Sequence, residues 1–183
     1  MATQTTRITA SMNVVPTVSH PGPRQAERLS FVRVSREPGE RFIVHEGHDL
    51  FTAIHDRLDV IGAEGAAFRL VAGVFAKVTL MTGGAGEKDL PIAFHGPHVL
   101  AAPAWIVAGA AGSGRDENGD RFSHCHAVFN DQNGHSVGGH LLADLAIAGP
   151  AGVTVEIAPI AGGVFHRRFD PETRFDLFHP EAA

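Results

Sequence analysis

The sequence lacks tyrosine, has one cysteine and contains no long apolar run, and each absence narrows the class of protein. The single cysteine, Cys125, excludes an intramolecular disulfide framework and fits a reducing compartment, so we expect a cytoplasmic protein. No apolar run approaches the roughly 20 residues that a membrane helix requires, and no membrane partner is predicted. The N-terminal MATQTTRITASMNVV has no basic segment followed by an apolar core, so we expect no secretory signal.

Positive charge is also scarce. There are 15 Lys and Arg residues against 20 Asp and Glu residues, which gives a formal net charge of −5. The pair Arg167-Arg168 is the only basic cluster, whereas a protein that binds DNA through its phosphates normally displays a basic stripe. Direct DNA binding is therefore disfavoured.

Two residue types are abundant instead. Twelve phenylalanines place nearly all of the aromatic area in side chains without a polar group, which favours core or subunit contacts. Twelve histidines supply the side chain that most often binds metals, so their spacing along the chain decides what they do.

The apolar pattern predicts one domain preceded by an arm. Residues 1–28 are rich in Thr, Ser, Pro and Gly and are predicted to be flexible or to cross a subunit, while residues 29–183 form the domain. Apolar residues at every fourth position predict a helix over residues 48–62. The predicted fold is α+β, a compact, mainly antiparallel sheet with one or two flanking helices. Two predicted strands precede the helix, LSFVRVSR and RFIVHEG, and about eight follow: AAFRLVAG, FAKVTLM, PIAFH, HVLAAPAWIVAGA, RFSHCHAVFN, the segment after Gly139, GVTVEIAPI and VFHRRFD.

The segment RFSHCHAVFNDQNGHSVGGHLLAD, residues 121–144, carries the strongest chemical signal. His124 and His126 are two positions apart on a predicted strand and therefore project from the same face. His140 follows a turn, and it joins that face only if the hairpin loop has an odd number of residues or if a bulge at Gly138-Gly139 corrects the register.

Three converging imidazoles with an open fourth position are the arrangement of a catalytic zinc site. Spacing alone leaves a second interpretation open, in which these are ordinary strand histidines hydrogen-bonded to carboxylates or to the backbone.

The same segment resembles the signature of the PPC (plants and prokaryotes conserved) domain family, in which an HxH strand, an acidic-Gly turn and GGHLL follow in that order. HEGHDLFTAIHDRLDVIG resembles the first long helix of the family, LVAGVFAKVTL its glycine-containing strand turn, and VFHRRFDPETRFDLF its C-terminal Arg-Asp-Pro segment. The resemblance covers residues 29–179 and implies an antiparallel sheet with flanking helices, assembled as a homotrimer with sites at or near subunit boundaries. It also implies that His124, His126 and His140 bind a divalent metal, for which Zn²⁺ is the expected ion.

Two departures from the family pattern matter. The C-terminal motif of the family usually reads Asp-Pro-x-Thr-Gly, whereas Arg174 follows Thr173 here. The plant members carry an Arg-Gly-Arg-Pro AT-hook, which is absent from this sequence, so the DNA association of the family is not expected for this chain.

Three further residues are candidates for roles at the site. Asp144 lies four residues after His140 and is predicted to orient an imidazole or to act as an acid or base, with a solvated strand-end carboxylate as the alternative. Glu156, a second candidate for proton transfer, and Lys77, a candidate ligand-binding residue, are lone charges within apolar strands. Such residues are rarely buried without a partner, so each faces either a pocket or solvent.

Two more candidates concern ligand binding. His98 follows the Gly96-Pro97 turn and either borders the pocket or is solvated. Arg168 matches the Arg-x-Asp spacing of the family, and its planar guanidinium is predicted to bind a carboxylate or phosphate. Pairing of Arg168 with Asp170 or Glu172 is the alternative.

These observations support hypotheses from different classes. The first is a metal-dependent enzyme or binding protein for a small anionic molecule, with the metal on the three histidines and Arg168 on the anion. The alternative is a DNA-associated regulatory module that acts through partners or through the surface of the homotrimer. In a third, purely structural interpretation, the histidines only join subunits.

Overall fold

In the computed structural model of the protein, residues 19–26, 30–86 and 92–182 are described. They form one α-helix and nine β-strands: β1 (Ser35–Arg36), β2 (Glu40–Val44), α1 (Leu50–Val60), β3 (Gly65–Ala85), β4 (Ile92–Val99), β5 (Ala104–Arg115), β6 (Arg121–Asn130), β7 (Ser136–Ala161), β8 (Gly163–Asp170) and β9 (Phe175–Ala182).

The predicted helix is confirmed as α1. Asp49 is its N-cap, and the carboxylate oxygen Oδ1 accepts hydrogen bonds of 3.0 Å from the backbone N–H groups of Phe51 and Thr52. The apolar stripe is buried against the sheet, and Gly62, with φ of 68°, lies just beyond the end of the helix.

Two very long strands replace pairs of predicted short ones. AAFRLVAG and FAKVTLM, predicted as separate strands, are both parts of β3, and the predicted turn at Gly73 is a bend in a continuous strand. Gly73 has φ of +143°, and an added Cβ would lie 2.5 Å from the carbonyl oxygen of Gly152. Glycine is therefore required there because β7 crosses β3 at close range. The segment after Gly139 and GVTVEIAPI likewise form the single strand β7.

Other boundaries also differ from the predictions. β4 continues through the predicted Gly96-Pro97 turn, and HVLAAPAWIVAGA is divided between β4 and β5. Of LSFVRVSR, only Ser35–Arg36 is strand among the described residues. β9 was not predicted, because FDLFHPEA lacks apolar alternation and contains a proline.

The pairings of four strands form a closed circuit. β3 pairs with β7, β7 with β6, β6 with β5, and β5 with β3, all antiparallel. β8 extends the sheet from β5 through one parallel pair, and β9 pairs antiparallel with β8. The circuit surrounds an apolar core in which the rings of Phe75 and Phe129, both fully buried, meet edge to face at 5.3 Å.

The prediction of a mainly antiparallel sheet is confirmed, although the chain is more strand-dominated than the α+β class suggests, with one helix in the described residues. In this same part of the chain, no helix has the length and apolar character needed to cross a membrane.

Most of the predicted arm, residues 1–28, lies outside the described residues. Its described part, residues 19–26, lies against the turn between β8 and β9. The backbone N–H of Gly22 donates to the carbonyl of Glu172, and that of Gln25 donates to the carboxylate of the same residue, each at 2.8 Å. This segment is therefore anchored on the hairpin.

Candidate metal centre and its cavity

The three histidines share one face of β6 and β7 because the loop between these strands has an odd number of residues. Asn130 pairs with Ser136, which leaves the five residues 131–135 in the loop, and His126 then pairs with His140. His124, two residues earlier on β6, projects from the same face. The β6–β7 register is constant through Gly138 and Gly139, so no bulge between these strands is needed.

The loop geometry is set by Asp131. Its oxygen Oδ1 accepts hydrogen bonds from the backbone N–H groups of Asn133 at 2.8 Å and His135 at 2.9 Å. These bonds, above all the one from His135, hold the pKa of Asp131 below its usual range. Gly134 supplies the left-handed conformation with φ of 79°, so DQNGH specifies a five-residue loop.

The imidazoles form a tight cluster. Nε2 of His124 and Nε2 of His126 are 3.1 Å apart, and the rings of His124 and His140 have centroids 4.5 Å apart. One ligand nitrogen from each of the three lies within 4.8 Å of the others. No other group of three or more His, Cys, Asp or Glu side chains in residues 19–26, 30–86 and 92–182 has such spacing.

The surroundings keep two of these histidines neutral at pH 7. The pKa of His140 is lowered to about 4, chiefly by burial and then by His124, His126 and Arg167. Burial, followed by the effects of His126 and Arg167, also lowers the pKa of His124. A neutral imidazole presents a lone pair, which is the form that binds a metal.

The donor set fits a divalent transition metal. Two nitrogens bound at about 2.0–2.1 Å to one tetrahedral Zn²⁺ lie roughly 3.3 Å apart, close to the 3.1 Å between His124 and His126. His140 Nδ1 is buried and has no hydrogen-bond partner among the described residues, an unfavourable state unless that nitrogen meets a ligand. Cys125 does not belong to the set, because it faces the core and burial raises the pKa of its thiol to about 12.

The triad lies in a cavity of about 970 Å³. The β8–β9 hairpin forms one side of this cavity and contributes Arg167, whose Nη2 is 2.6 Å from the Asp176 carboxylate. The Arg167 guanidinium also lies over the Phe122 ring, 4.5 Å from its centroid. Cation–π contact and ion pairing together fix the position of the guanidinium.

Strand alternation places Arg167 in the cavity and Arg168 outside it. Arg168 forms an ion pair with Glu181 on β9, rather than with either partner considered from the sequence. Sequence reasoning missed Arg167 because the dipeptide Arg-Arg does not indicate which residue faces the histidines. That choice depends on how the hairpin lies over β6.

Asp144, Lys77 and His98 are exposed, and none of the three lines the cavity. Asp144 has a left-handed backbone with φ of 61° and lies where the β3–β7 register shifts. His98 Nε2 is 3.2 Å from the Thr82 hydroxyl oxygen. The structure therefore does not bring these candidates to the triad.

Glu156 also lies apart from the cavity and has a different environment. It is the cross-strand neighbour of Arg41 on β2 and of Arg69 on β3, and both guanidinium groups donate to its carboxylate. These hydrogen bonds, first that of Arg69 and then that of Arg41, hold the pKa of Glu156 below its usual range. An ionised, paired carboxylate of this kind is a poor proton donor at neutral pH.

Similar solved structures support the fold. A metal-containing protein from Archaeoglobus fulgidus is 20% identical, with a TM-score of 0.68 over 82% of this chain and 99% of that one. A plant- and prokaryote-conserved (PPC) protein from Pyrococcus horikoshii is 18% identical, with a TM-score of 0.64 over 82% and 97%. A protein from Ralstonia eutropha JMP134, provisionally described as DNA-binding, is 17% identical, with a TM-score of 0.63 over 80% and 94%.

No functionally curated protein matches this sequence. The family model of the Plants and Prokaryotes Conserved (PCC) domain matches residues 38–159, which is more than half of the chain and includes all three histidines. The chain therefore belongs to the Plants and Prokaryotes Conserved domain family, as its histidine segment predicted.

Proposed function

We propose that this protein binds one divalent metal ion through His124, His126 and His140, and that the metal and the arginines that line the cavity, Arg167 and Arg174, hold a small anionic molecule there. The observation that carries the proposal is the convergence of three ligand nitrogens within 4.8 Å in a cavity of about 970 Å³. A cavity of this size lies within the range of small-molecule sites.

Zn²⁺ is the first candidate ion. Three imidazole nitrogens suit Zn²⁺ and other late transition metals, whereas Mg²⁺ and Ca²⁺ prefer oxygen ligands. The Archaeoglobus fulgidus protein of the same fold is described as metal-containing, which supports a metal here.

The histidines and Arg167 have separate roles in this proposal. When bound, the divalent ion supplies Lewis acidity to an anionic ligand. The low pKa of His140 keeps its ring available as a ligand at neutral pH, and Arg167, fixed by Asp176 and Phe122, supplies positive charge beside the histidines. The same arrangement serves a metal-dependent enzyme or a binding protein.

We also propose a homotrimer with the site near a subunit boundary. Trp105, Val107 and Val128 are 44%, 55% and 40% exposed. Trp105 pairs with Asn130, and residues 124–130 alternate so that Val128 and Asn130 share the face of the histidines. An exposed apolar patch of this kind marks an interaction surface.

The alternative function, a DNA-associated module, rests on the provisional description of the Ralstonia eutropha protein. The charge of this chain argues against direct contact with DNA, since its net charge is −5. The metal and anion interpretation is therefore the better supported one.

The test is the metal content of tag-free protein, measured by mass spectrometry for wild type, His124→Ala, His140→Ala and the control His98→Ala. We expect about one Zn²⁺ or other divalent ion per chain in wild type and in His98→Ala, and loss of most of it in the other two variants. His98 is the matched control because it is an exposed histidine outside the triad.

Circular dichroism of the same samples separates metal loss from unfolding. A wild-type protein that contains no metal, and takes up none when Zn²⁺ is added, would contradict the proposal. Equal metal content in wild type and His140→Ala would contradict the assignment of the ligands.

A further inference from the structure

The walls of the triad cavity are unusually poor in side chains that hydrogen-bond to hydroxyl groups. Apart from the three histidines, Arg167, Arg174 and Asp176, every lining side chain is apolar, and five of them are phenylalanines: Phe94, Phe122, Phe169, Phe175 and Phe178. No serine, threonine, tyrosine, asparagine or glutamine lines the cavity. A sugar or nucleoside would find few side-chain hydrogen-bond partners for its hydroxyl groups on these walls.

The phenylalanines are arranged in edge-to-face pairs. Phe94 and Phe175 have ring centroids 5.6 Å apart at 76°, and Phe122 and Phe178 are 5.6 Å apart at 69°. Phe94 is also 57% exposed and Phe169 61% exposed, so apolar ring surface is still available for contact. An aromatic ring of a ligand that packs among these phenylalanines would bury apolar surface and could adopt the same edge-to-face geometry.

The charged side chains leave one positive charge unmatched. Arg167 is paired with Asp176, whereas the side chain of Arg174 makes no hydrogen bond or ion pair with any residue in the described ranges. Two arginines and one aspartate among the lining side chains give the cavity an excess of one positive charge from these residues, and a divalent metal would raise it. The unpaired guanidinium therefore favours an anionic group on the ligand.

The backbone conformation of Arg174 indicates that this residue has a functional role. Its φ is 61°, a left-handed conformation that favours glycine. The turn that imposes this conformation is closed by hydrogen bonds from the Arg174 N–H to the Asp170 carbonyl and from the Thr173 N–H to the Asp170 carboxylate. A strained arginine that faces a cavity points to a role in that cavity.

We infer that the ligand of the cavity is an aromatic carboxylate, whose ring packs among the phenylalanines and whose carboxylate is bound by Arg174 in the cavity that contains the triad. The inference rests on the proposed function and specifies its substrate class. It assigns anion recognition to the β8–β9 turn, outside residues 38–159 matched by the family model.

The experiment is isothermal titration calorimetry of metal-loaded protein with three aromatic acids: benzoate, phenylacetate and cinnamate. Two analogues serve as controls: acetate, which lacks the ring, and phenylacetamide, which lacks the charge. We expect at least one aromatic acid to bind wild type about tenfold or more tightly than either analogue. Arg174→Gly should weaken that binding about tenfold or more, since a charge-assisted hydrogen bond is removed. The control is Arg168→Gln, which changes an arginine of the same hairpin that lies outside the cavity. The affinity of this variant for the aromatic acid should stay within twofold of that of wild type.

Thermal unfolding of the same variants provides a second readout. Because glycine relieves the left-handed strain, the Tm of Arg174→Gly should equal that of wild type or exceed it by up to about 4 °C. A lower Tm with unchanged affinity would show a structural role for Arg174 and overturn the assignment.

The outcomes also separate this inference from the proposed function. Metal-loaded wild type that binds none of the aromatic acids, or that binds acetate as tightly, would overturn the ligand class while the metal site remains. Protein that takes up no metal would contradict the proposed function itself, and binding of an aromatic acid to that protein through Arg174 would still support the ligand class.

Discussion

At the scale of single residues, His55 connects the helix to the strand that carries the triad. Its Nε2 is 2.8 Å from the Ser123 hydroxyl oxygen on β6, one residue before His124. Burial is the first cause that lowers the pKa of His55, and Arg121 is the second, while three carboxylates raise it: Asp59, Asp49 and Asp56. His55 is thus a partly buried base that the folded state keeps neutral.

This environment predicts how stability depends on pH. The unfolded chain takes up a proton on His55 near pH 6.5, whereas the folded chain does so only at lower pH. The contribution of neutral His55 to the free energy of unfolding is therefore fully present above pH 6.5, and it is lost as the pH falls toward the pKa of His55 in the folded state. The test is urea unfolding of metal-free protein at pH 7.5 and at pH 5.5. Between these two pH values, the free energy of unfolding should fall less for His55→Gln than for wild type. The exposed control, His98→Gln, should lose as much as wild type. Equal losses in all three would contradict this account.

At the scale of secondary-structure elements, the two glycines before His140 have different surroundings. A Cβ on Gly139 would lie 2.5 Å from the backbone carbonyl oxygen of Met81 on β3, whereas a Cβ on Gly138 would meet the side chain of Val128 at 3.1 Å. The backbone cannot move aside as readily as a valine methyl group. Gly139 therefore sets the distance between β3 and β7 next to the histidine triad.

Gly139→Ala should accordingly lower the free energy of unfolding by about 2 kcal/mol, and weaken metal binding because it displaces His140. Gly138→Ala, the matched control, should cost less, since only one side chain has to adjust. Urea unfolding and zinc titration of both variants test the difference. A larger effect at Gly138 than at Gly139 would show that the packing argument is wrong.

The elements also show which features the sequence could predict. β6 was predicted from its alternation, whereas the parity of the following loop was left open by the sequence and is fixed by the pairing of Asn130 with Ser136 in the structure. The continuity of β3 and β7 was not predictable, because Gly73, Asp144 and Gly152 look like turn signals in isolation. Their left-handed backbones accommodate bends and register shifts only because a neighbouring long strand pairs on both sides of each bend. The position of Arg167 in the cavity was missed for a related reason, since it depends on the docking of an unpredicted hairpin.

At the scale of the whole molecule, the site and the exposed apolar patch share the outer face of β5, β6 and β7. Ala110, opposite His126 on that face, is small and exposed, so this part of β5 is open to a second surface. The patch of Trp105, Val107 and Val128 therefore continues from the histidine triad toward the far end of the sheet, and subunit contact there would border the site.

The double variant Trp105→Ser/Val107→Ser should reduce the proposed trimer to monomers in sedimentation velocity, because it removes apolar area from the contact. Val60→Ser is the matched control, since Val60 is 74% exposed on α1 and lies away from this face. Wild type that sediments as a monomer, or a double variant that stays trimeric, would contradict the predicted interface.

The closed circuit of strands has a consequence for synthesis on the ribosome. β3, β5 and β6 emerge before β7, yet the circuit cannot close until β7 has left the exit tunnel, because β7 pairs with both β3 and β6. The growing chain must therefore carry β3, β5 and β6 with apolar faces uncovered until β7 has followed them, and exposed apolar surface of this kind favours aggregation unless a chaperone covers it. His140 arrives with β7, so the nascent chain completes its histidine triad only in the step that closes the fold.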